Sequence, residues 1–391
     1  MELTAQTYLI TQIAEAFYRS HLFVKVHDDL ELIETQYLPA FVDKDLYLSS
    51  VRKKWFKPGT TELTVSNRKV FNLEFVKDVF GHHKVLVLDI GANKSSLVTY
   101  QDGVFSIKEE DMGLGEGLFK ILTDSSMMDA IYHRLPIKLE RRLVYDYLAE
   151  KQEHPARLPS TPDERIIELS AAGVIMSHFA KEYSRQFSTD SMAKLKGKSS
   201  PLLKSSPVNV AILTGEVFWG ADEHKKGFNA NGMSLLSLID GAGLEGIWRI
   251  YIDTQGNVPS LGRLKKEGVV GLATDRFLRQ LGTVIVLSHQ ENDGKSLGRL
   301  TFDLGYNYPQ ELHVEAGQIF RLPFEKGAVG GVELALHQSV SITGLDEGSS
   351  QPEIVGGDLG IVIDARGRPL KLRGVREEIL SNWLEGVGVS I

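Results

Sequence analysis

The residues best placed to do chemistry follow one apolar run. Val85-Leu86-Val87-Leu88 leads into Asp89-Ile90-Gly91-Ala92-Asn93-Lys94-Ser95-Ser96. A carboxylate at the end of a core strand, running into a turn with glycine and small hydroxyl residues, is one way to build an anion site. Successive backbone N–H groups in such a turn converge on a phosphate. The Asp89 carboxylate can hold a hydrated Mg²⁺, which takes a few carboxylate contacts and keeps its waters. Gly91 lets the backbone approach a ligand closely or take positive φ. The same residues also describe a plain β-hairpin whose Asp89 caps the turn. Taken alone, they leave both readings open.

Several elements must position this turn. A second strand is expected over Leu97 to Tyr100 and a third over Val104 to Lys108, joined by Gln101-Asp102-Gly103. A glycine-rich turn, Gly113-Leu114-Gly115-Glu116-Gly117, then enters a helix. Residues 116–150 read as helical, broken at Asp124 or Ser125 and at Leu135-Pro136. Lys151 to Pro162, with prolines at 155, 159 and 162, reads as a loop. Thr161 is a natural cap with Pro162 at the first helical position. The helix it opens is expected to run to about Phe187. Its stripe of Ile166, Leu169, Ala172, Gly173, Met176, Phe179 and Ala180 would pack on the sheet. Lys194 to Pro207 is basic and rich in serine and proline, the composition of a surface loop. Strands at Asn209 to Leu213 and Trp248 to Ile252 alternate with helices at Gly232 to Ala242 and Arg263 to Leu281, as in an α/β sheet.

The flanks differ. Leu9, Ile13, Ala16, Phe17 and Leu22 fall close to helical spacing, so residues 1–25 are expected to be an amphipathic helix. Trp55 to Thr61 is a break, and a short helix is expected from Asn72 to Phe80. From about Gly282, short strand candidates and turns at Ala316-Gly317 and Arg366-Gly367 predict a β-rich domain, closed by a helix at Val375 to Leu384. Asp358 and Asp364 would hold a cation or sit in an acidic hairpin turn. Arg366 and Arg368 flank Gly367, where they would meet an acidic surface or be solvated.

Composition sets bounds. The 391 residues suffice for two or three domains, with 42% hydrophobic and 24% charged residues. A net charge of −7 argues against broad nucleic-acid binding, which needs a basic face. The lack of cysteine excludes disulfides, thiolate metal sites and cysteine nucleophiles. The eleven histidines show no metal-ligand spacing. No signal peptide is visible, no run approaches the ~18 apolar residues of a membrane span, and the expected compartment is the cytoplasm.

The order strand, Asp-x-Gly-x-x-x-Ser, strand, Asp-Gly turn, strand and Gly-x-Gly helix entry resembles the phosphate hairpin of the actin-like ATPases, which include PilM and FtsA. The strand Val208 to Leu213 with Thr214-Gly215 resembles that superfamily's adenosine-side element, with Glu216 where a second glycine is usual. Met112-Gly113-Leu114-Gly115, Ile250-Tyr251-Ile252-Asp253 with Pro259-Ser260-Leu261-Gly262, and the tail Val355 to Leu370 resemble the MutL family associated with glutamate mutase, in its second half. The likeness runs from about Lys84 to the C-terminus.

The resemblance implies an α/β fold: an actin-like (RNase H-like) lobe over 81–281, a mainly helical segment over 1–80, and a β-rich domain with closing helix over 282–391. ATP and Mg are the implied cofactors. Asp89 would orient the metal. Gly91, Asn93, Lys94 and Ser95 would serve the phosphates, Gly115 and Gly117 would open a helix mouth toward them, and Thr214 and Gly215 would lie against the adenosine. No catalytic residue is assigned. Residues 1–80 hold no recognisable first phosphate hairpin, so nucleotide binding would be residual or completed by a protein partner or a second copy. The implied role is an accessory or assembly protein, with a cobalamin-dependent mutase as a partner. The alternatives are a pseudo-ATPase scaffold resembling PilM or FtsA, and an ATPase active only as a dimer.

Overall fold

A computed structural model describes residues 22–26, 33–37, 80, 83–101, 104–194, 208–218, 229–253, 278–305, 309–345, 351–370, 372 and 374–389. The chain forms two compact units, Met1–Glu74 with Gln255–Val270, and Phe75–Thr254 with Gly271–Ile391. In the first, β1 (Leu22–Val26) and β2 (Ile33–Tyr37) form an antiparallel pair. The helix expected over residues 1–25 therefore gives way to strand at Leu22. Pairing with β2 decides this, and helical spacing does not reveal a strand partner. The rest of the expected helical segment 1–80, apart from β2 and Phe80, lies outside the described residues.

The second unit is built on an eight-stranded sheet. Toward one edge β3 (Val85–Ile90) is followed by β4 (Ser95–Gln101) and β5 (Val104–Glu110) in an antiparallel meander. On the other side of β3 lie β6 (Val208–Thr214) and β7 (Gly246–Ile252), both parallel to it. Then come β8 (Arg279–Val286), antiparallel to β7, β14 (Ile361–Ala365), parallel to β8, and β11 (Gln318–Leu322) at the edge. The order is β11-β14-β8-β7-β6-β3-β4-β5. A second sheet has four strands, β9 (Ser296–Asp303), β10 (Gln310–Glu315), β12 (Val329–Leu336) and β13 (Glu353–Val355), in the order β10-β9-β12-β13.

The division expected after residue 281 does not fall on a break in the large sheet. β8 hydrogen-bonds along β7, and β14 joins β8, so strands from both sides of that point share one sheet. The end of the helix expected over Arg263 to Leu281 is strand for the same reason, since Arg279, Gln280 and Leu281 belong to β8. Residues 254–277 lie outside the described residues.

Helices succeed the meander: a 3₁₀ turn at Glu116–Leu118, α1 (Phe119–Leu122), α2 (Ser125–Tyr132), α3 (Arg141–Glu153), α4 (Pro162–Lys194), α5 (Ala230–Ala242) and α6 (Glu377–Gly386). Asp124 caps α2 by accepting from the Ser126 and Met127 amides. Thr161 Oγ1 accepts from the Glu164 amide at 3.2 Å, and Glu164 Oε2 accepts from the Ser160 amide at 2.6 Å. This reciprocal arrangement fixes the start of α4.

Side chains alternate across the sheet, and each face has its own cover. Leu88, Ile90, Leu213, Trp248, Ile250, Val284 and Val362 pack with Ile166, Leu169, Ala172, Met176 and Phe179 of α4 and with α5. On the opposite face, Ile247, Ile285, Ile361 and Ile363 pack with Leu300, Phe302, Val332 and Ile354 of the second sheet. Over β6, β7, β8 and β14 the large sheet is thus buried on both sides, which is why those strands read as apolar runs.

Candidate functional site

The hairpin lies toward the β5 end of this sheet, with β3 inside it against β6. Asp89, one residue from the end of β3, lies opposite Ser96 of β4 and Thr214 of β6. The Gly91 amide donates to the Lys94 carbonyl at 3.2 Å and closes the turn. The glycine-rich run then packs directly on it. The Leu114 amide donates to the Gly91 carbonyl at 2.9 Å, and the Gly117 amide to the Ala92 carbonyl at 3.1 Å.

The glycines are there for contact between backbones. A Cβ on Gly113 would lie 2.4 Å from both the Gly91 and the Ala92 carbonyl oxygens. One on Gly117 would lie 2.5 Å from the Asn93 carbonyl, and one on Gly115 2.9 Å from the Cβ atoms of Ala92 and Pro155. Gly115 and Gly117 therefore seat the hairpin turn and do not open a helix mouth, because the turn's own backbone fills that space. The helical element they enter is a three-residue 3₁₀ turn that runs on into the four-residue α1. With the Gly91 and Ala92 carbonyls engaged, the Ala92 and Asn93 amides meet no acceptor among the described residues.

The other expected residues separate by environment. Asn93 and Lys94 lie at the exposed tip, and Lys94 pairs with Asp111 at 3.1 Å. At 68% and 81% side-chain exposure, that pair contributes little. Ser95 belongs to β4, opposite Ile90, and is 1% exposed; its hydroxyl has no partner among the described residues. Thr214 Oγ1 donates to Asp253 Oδ2 at 3.0 Å, with both side chains buried at the ends of β6 and β7. Gly215 has φ +121°, and a Cβ there would lie 2.1 Å from the Ile90 carbonyl oxygen. No side chain fits where β6 leaves beside β3. The Glu216 side chain lies outside the described residues.

The structure adds residues that the motifs did not point to. A cleft beside the turn is lined by Ile90, Gly91, Ala92, Leu114 and Val217, and across from them by Lys151, Arg165 and Glu168. Lys151 belongs to α3, which runs to Glu153 and so extends past the expected loop start. Lys151 Nζ lies 3.2 Å from Glu168 Oε1 and also donates to the Arg157 carbonyl. Tyr147 donates to the same Glu168 oxygen at 2.8 Å. Arg165 Nη1 is 3.9 Å from Glu168 Oε2. These three charged side chains are 3–12% exposed.

Two cations here share one carboxylate. Burial pushes the Arg165 guanidinium down from its usual range, and Glu168 offsets this only in part. Burial and the nearby Glu168 charge push the Tyr147 hydroxyl up, so it remains a donor. The residues lining the cleft therefore carry one positive charge in excess, beside a turn whose Ala92 amide meets no acceptor among the described residues, a setting that suits an oxyanion. The one sequence signal was Arg165 with Glu168, three residues apart at a helix start; the approach of α3 to that turn was invisible. Among the described residues, no three His, Cys, Asp or Glu side chains gather to hold a metal, and no helix is long and apolar enough to cross a membrane.

No family model matches the chain, and no curated protein does. Several solved structures are similar at low scores, among them the following. Component A of (R)-2-hydroxyglutaryl-CoA dehydratase from Acidaminococcus fermentans is 12% identical, over 62% of this chain and 94% of that one, with a TM-score of 0.27. A PilM-PilN type IV pilus biogenesis complex is 14% identical, over 69% and 74%, at 0.29. Nucleotide-free acetone carboxylase, from work on ATP-dependent acetone carboxylation, is 12% identical, over 64% and 42%, at 0.23. At these scores no functional conclusion rests on the likeness; the strand order and the cleft of this chain stand by themselves.

Proposed function

We propose that the eight-stranded sheet is an actin-like (RNase H-like) lobe, that its hairpin cleft takes the phosphates of a nucleotide, and that the chain serves as an accessory or assembly protein. The strand order supports the first part. A meander of β3, β4 and β5 is followed by β6 and β7, both parallel to β3. In open α/β sheets, ligands bind outside the carboxyl ends of parallel strands, where the Gly91–Lys94 turn lies. The observation that carries the reading is the meeting of Ala92, Lys151 and Arg165 on one cleft.

The residues fit a phosphate group: a turn amide at Ala92 with no acceptor among the described residues, two cations and a close glycine turn. Asp89 would hold a hydrated Mg²⁺ through its carboxylate, and Thr214 and Gly215 would flank the nucleoside. Mg·ATP would supply a transferable phosphoryl group. The chain's own part is to bind and orient it, with Lys151 and Arg165 countering its charge. The resemblance to the MutL family extends the proposal to a partner, a cobalamin-dependent mutase, and to a second chain that would close the cleft.

A pseudo-ATPase scaffold is the second reading. One observation favours it: Lys151 is already engaged by Glu168 and the Arg157 carbonyl. Calorimetric titration with Mg·ATP and Mg·ADP, at protein concentrations spanning monomer and dimer, separates the two. We expect saturable binding, weakened at least about tenfold in Asp89→Ala, with an unchanged circular dichroism spectrum. Unchanged affinity in that variant removes the metal role of Asp89. No heat at millimolar nucleotide leaves the scaffold.

A further inference from the structure

We propose that a second cavity, bounded by α4, α5 and α6, binds a small monocarboxylate. It shares no residue with the hairpin cleft. Its polar wall is Arg134, just after α2 in the chain, with Ser170 of α4, Ser237 and Asp240 of α5, and Arg366 just after β14. Met233, Leu236, Leu380 and Trp383 contribute apolar wall.

Three polar atoms in this wall have no hydrogen-bond partner among the described residues: Arg134 Nε, Ser170 Oγ and Ser237 Oγ. Ser170 is 0% and Ser237 4% exposed. A buried helix serine ordinarily satisfies itself on the carbonyl four residues earlier. Ser234 does so, donating to the Ala230 carbonyl at 2.8 Å; Ser170 and Ser237, in the same two packed helices, do not. Buried polar groups are nearly always paired, so three orphans in one wall call for one shared partner.

Charge points the same way. Arg366 Nη2 grips Asp240 Oδ1 at 2.6 Å, and Asp364 pairs with both Arg366 and Arg368. Arg134 makes no ion pair among the described residues; its Nη1 donates to the Ala130 carbonyl at 3.2 Å. Burial weighs against its charge, and Asp240, already held by Arg366, offsets this in part. The neighbourhood holds three guanidinium groups and two carboxylates, one negative charge short.

The chemistry of the wall selects the ligand. A guanidinium and two hydroxyls are donors to one anion, and the fork of an arginine suits a carboxylate. The apolar wall suits a short alkyl end. The free volume of about 30 Å³ has room for about two water-sized centres, which limits the ligand to the size of formate or acetate.

Calorimetry and thermal shift on the full chain test this, with sodium formate, acetate, butyrate and chloride at matched ionic strength. Formate or acetate should bind saturably, butyrate and chloride should not, and Arg134→Gln should abolish the response. Should Arg134→Gln fail to fold, Ser170→Ala and Ser237→Ala serve: each removes one hydrogen bond to the anion and should weaken binding about tenfold. No saturable response, or an equal response to chloride or in the serine variants, overturns the proposal and leaves a cavity holding water.

Discussion

Two buried charge clusters sit on the large sheet, and they balance differently. At β14, Asp364 accepts from Arg366 Nε and Nη2, each at 2.9 Å, and from Arg368 Nη2 at 2.7 Å. Arg366 also holds Asp240 and stacks over Trp383, 4.8 Å from the ring centroid. Arg366 and Arg368 meet two carboxylates, and of the three guanidinium groups there only Arg134 makes no ion pair among the described residues. At the hairpin, Lys151 and Arg165 share one carboxylate, that of Glu168. Burial by itself would raise the Asp364 carboxyl, but Arg366 and Arg368 outweigh it and hold it well below the usual carboxylate range. The difference is one of charge count. Where each cation has its own carboxylate, as Arg366 and Arg368 do, the network builds the fold; where cations outnumber carboxylates, as at Lys151 and Arg165, the site is ready for an anion.

The strongest challenge to this contrast is Asp364→Ala. It leaves Arg368 without a carboxylate in the core and Arg366 with Asp240 alone, and should cost about 3–5 kcal/mol in urea unfolding. A cost below about 1 kcal/mol would mean that the β14 network is not structural. Acidification probes the same group. Its folded value lies below the unfolded value of about 3.9, so its stabilisation is fully present above that pH and is lost as pH falls through the folded value. The stability gap between wild type and Asp364→Asn should therefore narrow below about pH 4.

Glu168→Gln tests the other side. It should destabilise by about 1–3 kcal/mol, and inorganic phosphate should restore more of the thermal midpoint than it adds to wild type. An equal phosphate response in both proteins would deny the cleft its anion character. Lys94→Ala should change stability by less than about 0.5 kcal/mol, since its pair with Asp111 is exposed. A larger loss would place Lys94 in the folded site and not at its tip.

Much of the α/β framework was legible from local pattern. The apolar runs at Val85 and Val208, the stripe on α4 and the Thr161-Pro162 start each state their element without help from distant chain. Strand partners are another matter. Leu22 and Arg279 fall in segments whose local pattern reads as helix, yet they pair as strands, and β8 and β14 joined the sheet across the division expected after residue 281. The hairpin was found because Asp89, Gly91 and the Gly113 to Gly117 run are close in the chain. Arg366 and Arg368 looked like surface cations, and only burial against Asp364 and Asp240 makes them core.

Turn chemistry was written in the residues themselves: which of them can bend, cap and expose amides at Gly91 to Lys94. Folding in three dimensions chose what faces that turn. Lys151, Arg165 and Glu168 come from two helices whose approach depends on packing against the sheet, and Arg134, Ser170 and Ser237 share a cavity for the same reason. Backbone conformation is local and can be read from neighbours in the chain; charge balance is a property of space, and it emerges only when distant residues are brought within a few ångströms.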